Sequence, residues 1–302
     1  MPRFLRPADI AFAAAIAVTL FYPSAGGMLS GHAAGLLILV QAVFIVRRIF
    51  GKDREAVVAS GDALFVVYVF LFSWELAAAK LNVLDSFLYP SPGVVVKTFI
   101  DEIPALLKGL LSSLRLLLGG YLLAVAVAVP AGLYFGYKRR LKLASKPFAK
   151  VLGPIPPLVY IPYAIAILPT FRAASIFIIF IGALWPIFIN TMNGVSDVDK
   201  RVIDTAKTLK LNDRQMILWV ILPGSVSSIM SGANIGLSFS FILLTSAEMI
   251  GGTSGMGWYV KYFSDFANYP KVIVGIVFIG IVVTIVTFFF DSLERYLLRW
   301  RK

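Results

Sequence analysis

Residues 173–193 read AASIFIIFIGALWPIFINTMN, and after one glycine the chain turns polar over 195–223, VSDVDKRVIDTAKTLKLNDRQMILWVILP. The first stretch is long enough to cross a bilayer, because a hydrocarbon layer about 30 Å thick needs roughly 20 mainly apolar residues at about 1.5 Å of helical rise each. The second carries charges and helix-start signals that belong in water. A crossing helix that leads into a structured polar hairpin sets the class of the chain.

Outward from this point the crossing pattern repeats. Apolar runs near 9–23, 33–46, 62–79, 116–137, 151–169, 228–250 and 272–290 join 173–193 as candidate spans. They predict an all-α polytopic membrane helix bundle, a six-helix core preceded by two N-terminal transmembrane helices. Residues 1–60 are the expected two-span extension and 61–302 the expected transmembrane domain. The composition agrees: of 302 residues 59% are hydrophobic and 15% charged, with a mean hydropathy of +0.86. A water-soluble domain of this size does not hide that much apolar surface. The first two runs are short, so tilted or interfacial segments are alternatives to full spans. Arg3 and Arg6 before the first run, with Ser24-Ala25-Gly26 after it, also resemble a cleavable signal, although retention is expected in a chain read from Met1.

The formal charge of +12 would suit a nucleic-acid partner if the cations were clustered on one surface. They lie between apolar runs instead, which points to membrane topology and not to nucleic acid. With eight spans, Lys80, Lys97, Lys108, Arg115, Arg172, Lys261 and Lys271 fall on one side and the rest of the 28 Lys and Arg residues on the other. Cations concentrate on the cytoplasmic side, so both termini and the 195–223 hairpin are predicted to be cytoplasmic. The absence of cysteine excludes disulfides, thiolate zinc sites and cysteine nucleophiles, and a single His32 excludes histidine-pair metal motifs. No GxxxxGK[ST] phosphate cradle occurs, and the glycine-rich run at 251–257 lacks its lysine. The chain is therefore read as carrying no cofactor and no ATPase site of its own.

Within 151–169, Pro154, Pro156, Pro157, Pro162 and Pro169 each remove a backbone donor, which predicts a broken span held among neighbours or lining a wet cavity. Residues 81–115 read as an external connection whose amphipathic part, Val94 to Leu111, lies along the membrane surface. In the hairpin, Ser196 with Asp199 fits a capping box, and Val198, Val202, Ala206 and Leu209 form an apolar stripe on a helix from about 197 to 209. Asn212 with Gln215 repeats the capping logic. Met216, Ile217 and Val220 follow, and Pro223 is expected to stop the second helix.

On the run at 228–250, Ser231, Asn234, Ser238, Phe241, Thr245 and Glu248 recur at steps of three and four and share one helical face. An ionisable group on a membrane helix is a functional candidate, so Glu248 leads this set, the expected lining of any path through the bundle. Its candidate roles are a cation partner, a gate element or an acid close to the external surface. Close helix packing explains Ser231 and Gly232, whereas for Asn234, Ser238 and Thr245 packing and transport stand level. Tyr160 and Tyr163 are candidates to line the broken span, and Asn190 and Asn193 the exit. Glu75, close to the external boundary, is expected to be solvated.

The hairpin residues Asp204-Thr205-Ala206, Lys210 and Val220-Ile221-Leu222-Pro223 resemble the cytoplasmic signature loop of ABC-importer permeases, E-A-A, three residues, G, nine residues, I-x-L-P. The departures are Asp for Glu, Thr for Ala, Lys for Gly and Val for Ile. Lys210 leaves open a turn unlike the family's, since glycine takes positive φ at little cost. The likeness extends over roughly 62–302 and is closest to the nitrate/sulfonate/taurine branch. It includes Pro154-Ile155-Pro156-Pro157-Leu158, Leu184-Trp185-Pro186-Ile187-Phe188-Ile189-Asn190-Thr191, Ala247-Glu248-Met249-Ile250-Gly251, Ser254-Gly255-Met256-Gly257, Asp291 and Leu298-Arg299-Trp300-Arg301.

The resemblance implies a permease subunit of an inner-membrane ABC importer, paired with a second permease and with ATPase subunits that hold ATP and Mg. A solute-binding protein would deliver a small anion or organic acid such as nitrate, a sulfonate or taurine, with bicarbonate or an organic precursor also open. It implies ATPase coupling for Asp204, Thr205, Ala206, Lys210, Leu222 and Pro223. An autonomous secondary transporter or channel using Glu248 is the alternative. An intramembrane enzyme lacks the needed metal or nucleophile constellation.

Overall fold

The computed structural model describes residues 7–21, 30–50, 54–81, 83–152 and 155–299, and the regular elements among them are helical. Arg3, Arg6, Ser24, Ala25, Gly26, Lys52, Pro154, Trp300, Arg301 and Lys302 lie outside the described residues. The helices are α1 Pro7–Phe21, α2 Ser30–Phe50, α3 Arg54–Glu75, α4 Pro92–Tyr137, α5 Arg139–Leu152, α6 Ile161–Ile167 and α7 Phe171–Asp197. They continue as α8 Lys200–Thr208, α9 Asp213–Gln215, α10 Leu222–Gly251, α11 Met256–Asp265 and α12 Tyr269–Leu297.

Five stretches have the length and apolar composition to cross a membrane: Val57–Lys80, Pro92–Tyr137, Phe171–Asp197, Asp213–Gly251 and Tyr269–Leu297. Shorter apolar helices occupy Pro7–Leu20, Gly31–Val46 and Pro157–Ile167. Together they fall on the runs read from sequence. The proline-rich run is broken as expected. Pro156 is extended at ψ 118°, a single 3₁₀ turn spans Pro157–Tyr160, Pro162 lies in the first turn of α6 and Leu168 is extended again at ψ 144°.

Two expectations are corrected. Val94 to Leu111 is not a separate surface connection: it is the first part of α4, a continuous helix of 46 residues. Amphipathic periodicity alone does not separate a helix lying on a membrane from the wet extension of a spanning one. Nor is Glu75 solvated, since it is 5% exposed. A π-helical segment at Leu76–Lys80 follows it, and the wider i→i+5 turn brings the Lys80 ammonium to 3.8 Å from the Glu75 carboxylate. The ammonium also donates to the Thr19 carbonyl at 3.4 Å.

Contacts divide the chain into two units, Met1–Ala105 with Phe263–Val277, and Leu106–Tyr262 with Phe278–Lys302. In the first, α1, α2 and α3 pack through Ala11, Ala15, Leu37 and Tyr68. A buried polar chain crosses the same helices: the Tyr68 hydroxyl donates to Gln41 at 2.9 Å, and the Gln41 amide to Asp9 at 2.9 Å. Arg48 closes it with an ion pair to Asp9 at 3.3 Å. Such groups are tolerated in an apolar bundle because each finds a partner.

In the second unit α7 and α10 run against each other at very close approach. A Cβ on Gly232 would sit 2.6 Å from the Asn190 Cβ and 2.9 Å from the Pro186 carbonyl. Membrane helices lack a hydrophobic drive to associate, so small residues that let backbones approach supply the contact. Ile161, Ala164, Ala174, Ile178, Leu243 and Ala247 form one core of this unit, and Leu133, Val195, Ala206, Met216, Ile221 and Ile229 another.

Candidate functional site

The hairpin is built from local hydrogen bonds. Asp199, not Ser196, caps α8: its carboxylate accepts the Arg201 amide at 2.8 Å. Ser196 remains on α7, where its hydroxyl donates to the Met192 carbonyl at 3.1 Å and meets the Lys142 ammonium. α7 runs on to Asp197, and the capping geometry starts only once the backbone leaves helical angles at Val198. The Arg201 guanidinium and amide both bond the Asp199 carboxylate, which holds it below its usual range. The turn that follows α8 passes through Lys210, whose φ of 52° is left-handed. Lysine thus takes the conformation that glycine adopts freely, at a cost of about 1–2 kcal/mol.

The second turn starts with the expected reciprocal box. The Gln215 backbone N–H donates to Asn212 Oδ1 at 2.9 Å, and Gln215 Oε1 accepts the Asn212 backbone N–H at 3.0 Å. Asp213 ties this turn to the end of α4, accepting the Tyr137 hydroxyl at 2.9 Å and the Lys138 ammonium. That contact raises the Lys138 pKa, the hydrogen bond to Asp213 being the main cause.

Pro223 does not stop the helix. A π-helical segment, Met216–Ile221, precedes it and Pro223 lies in the first turn of α10. The proline has no N–H to give and its ring crowds the preceding turn, and a widened turn accommodates both. The hairpin consequently joins α10 without a flexible break.

The six coupling residues separate by direction. Ala206 is 5% exposed and packs on Met216, Ile221 and Val195, while Leu222 and Pro223 are half-buried. Asp204, Thr205 and Lys210 face outward, with Asp204 paired to Lys207 at 2.9 Å. The apolar stripe separates too: Val202 is 52% and Leu209 69% exposed. Only Ala206 of that stripe is buried in the bundle. Trp219, 65% exposed, adds an aromatic that the sequence reading passed over.

The translocation candidates do not converge on one place. Ser238 and Thr245 turn their hydroxyls back onto the Asn234 and Phe241 carbonyls at 3.1 and 2.7 Å. The Asn190 amide donates to the Pro186 carbonyl at 2.8 Å, and that of Asn234 to Asp291 at 3.4 Å. Tyr160 and Tyr163 line a cavity of about 470 Å³ with Pro157, Ile167, Phe177 and Trp185.

Glu248 sits elsewhere, at a latch. Its carboxylate accepts the Ser113 hydroxyl from α4 at 2.6 Å and the Gly257 amide from α11 at 2.8 Å. Ser113 in turn accepts the Met256 amide at 2.9 Å, and Ser112 meets Ser254 at 2.8 Å. Gly255 makes this possible: its φ is 122°, and a Cβ there would stand 2.3 Å from the carboxylate. Ser113 was missed from sequence, because a serine on an apolar helix carries no periodic signal of its distant partner.

The sequence pattern of the binding-protein-dependent transport system inner membrane component family matches residues 128–302. A putative ABC transporter permease protein of Methanocaldococcus jannaschii is 30% identical over 236 residues, covering 76% of this chain and 88% of that protein. The putative aliphatic sulfonates transport permease protein SsuC of Bacillus subtilis is 29% identical over 276 residues, 91% of this chain and 98% of that protein. Among solved structures, the MetNI methionine ABC transporter in an inward-facing conformation contains a chain that aligns with a TM-score of 0.57 at 18% identity. The alignment covers 65% of this chain and 98% of that one.

Proposed function

The chain belongs to the binding-protein-dependent transport system inner membrane components, as a multi-pass permease subunit of an ABC importer, and from that premise we propose how it couples and what it carries. ATP is hydrolysed by a partner ATPase in such transporters; this chain supplies the membrane path. Residues 61–302 form the transport domain, residues 1–60 the extension, and both termini lie in the cytoplasm.

The proposed coupling element is the hairpin 195–223. Val202, Leu209, Asp204, Thr205 and Lys210 meet a cleft on the ATPase, and Ala206, Leu222 and Pro223 transmit its displacement to the bundle. The observation that carries this reading is the pairing of an outward apolar and polar face with an unbroken connection into α10. Closure of two Mg-ATP-loaded ATPase subunits would then shift α10 of each of two permeases and alternate the access of a central path. Asn234, Ser238, Thr245, Tyr160, Tyr163 and Asn190 are its candidate lining. Glu248 serves that path as a gate support, since its carboxylate oxygens are taken by Ser113 and Gly257.

The solute is proposed to be a small anion or organic acid such as nitrate, a sulfonate or taurine, delivered by an external binding protein. The aliphatic-sulfonate name of a relative aligned over 98% of its own length supports this class. The test is uptake by proteoliposomes holding the whole importer. Uptake should require ATP and the cognate ATPase. Ala206→Asp, in complexes shown to be assembled, should hydrolyse ATP without moving solute. Gradient-driven uptake by the purified chain alone would overturn the proposal in favour of a secondary transporter.

A further inference from the structure

α5 has no place in the coupling account, yet it is the most basic segment of the chain. From Lys138 to Leu152 the sequence holds Lys138, Arg139, Arg140, Lys142, Lys146 and Lys150 and no acidic residue. At 3.6 residues per turn, positions 139, 142, 146 and 150 share one face, and Leu141, Ala144, Phe148 and Val151 the opposite one. The apolar face is largely uncovered, with Phe148 66% and Val151 67% exposed. Beside it lies a groove of about 230 Å³ bounded by Phe135, Ala144, Ser145, Phe148, Trp185 and Phe188. Its aromatic wall is set by edge contacts of Phe188 with Phe135 at 5.6 Å and with Trp185 at 6.3 Å between ring centroids.

Two of the cations are already committed, Lys138 to Asp213 and Lys142 to Ser196, and these bonds fasten the junction of α4 and α5 to the hairpin and α5 to α7. Arg139 and Arg140 are exposed. Guanidinium groups suit phosphate oxygens, which they grip with two parallel donors.

We propose that α5 and this aromatic groove bind an anionic phospholipid of the leaflet on the hairpin side, the phosphate on Arg139 and Arg140 and an acyl chain along Phe148, Trp185 and Phe188. Charge decides between occupants. A second copy of this chain meeting the groove about a two-fold axis would bring the same cationic segment against itself. A lipid brings a negative headgroup and an apolar tail in the order in which the helix presents its two faces. The site reaches the coupling hairpin through the Lys138–Asp213 contact, so a bound lipid would steady the piece proposed to meet the ATPase. The inference depends on the membrane placement of the chain and is independent of the transported solute.

The test uses the assembled importer in detergent, with Trp74, Trp219, Trp258 and Trp300 changed to phenylalanine and the signal of the same complex carrying Trp185→Phe as well subtracted, so that Trp185 alone reports. Dibrominated phosphatidylglycerol should quench Trp185 at a concentration on the order of tenfold lower than dibrominated phosphatidylcholine. Arg139→Gln with Arg140→Gln should weaken the phosphatidylglycerol response by roughly fivefold for each charge removed and leave that of phosphatidylcholine unchanged. Native mass spectrometry of the complex with all its tryptophans supplies a second reading, in which the double variant should lose retained phosphatidylglycerol. Equal quenching by both lipids would overturn the proposal, as an unselective lipid annulus. Absence of quenching by either lipid would also overturn it. So would unchanged phosphatidylglycerol retention in the double variant.

Discussion

At Glu248 one carboxylate takes a hydroxyl from α4 and an amide from α11, and a glycine with positive φ lets the chain pass within contact of it. Gly255→Ala puts a methyl group into the carboxylate and a side chain at φ 122°. It should lower stability by roughly 1–3 kcal/mol, seen as a lower thermal unfolding temperature, and impair uptake. Glu248→Gln should cost about 1–3 kcal/mol through the acceptor it loses, with solute selectivity unchanged if the residue supports a gate. A changed selectivity would make it a ligand contact instead.

Lys210 gives the opposite sign. Lys210→Gly relieves the left-handed strain, so the hairpin should gain up to about 1 kcal/mol, read as slower amide exchange over α8. Asp199 sets a pH limit on the same helix. Its folded pKa lies below the unfolded value because Arg201 bonds the ionised form, so the cap's contribution is complete above the unfolded value. Protection of α8 amides, corrected for intrinsic exchange, should hold from neutral pH down to about 4 and be lost as pH falls further, through the folded pKa. Loss of protection already near pH 6 would exclude this cap.

Elements were legible from sequence to different depths. The long spans could be read from length and composition, and the Asn212–Gln215 box from spacing, because each is decided within one helix or one turn. Three features depended on distant partners or on backbone geometry that a residue pattern does not encode. One is the burial of Glu75, whose partner Lys80 lies on a π-helical segment and also bonds Thr19 of another helix. Another is the run of α4 through 94–111, and the third is the passage through Pro223 into α10. The buried pair carries its own prediction. Lys80→Met leaves Glu75 without its partner and should destabilise by roughly 3–5 kcal/mol, while Lys80→Met with Glu75→Leu should recover most of the loss. Thermal unfolding of the single and double variants measures the coupling between the two positions. Additive losses would show that the pair is not an interacting unit.

For the whole molecule, membrane path and chemical engine are separate chains, and the account depends on the hairpin standing where an ATPase grips it. The chain has no cysteine, so a single introduced one is the only thiol that this subunit contributes. Thr205 is exposed on α8 and its hydroxyl donates to the Arg201 carbonyl at 2.9 Å, a bond whose loss leaves the hairpin's other bonds in place. The decisive measurement is cross-linking of Thr205→Cys in sealed vesicles of known orientation, with the full importer assembled. The account predicts a cross-link to the ATPase subunit, made or broken by ATP, and labelling by impermeant thiol reagents only from the cytoplasmic face. Labelling of that cysteine from the external face would contradict it.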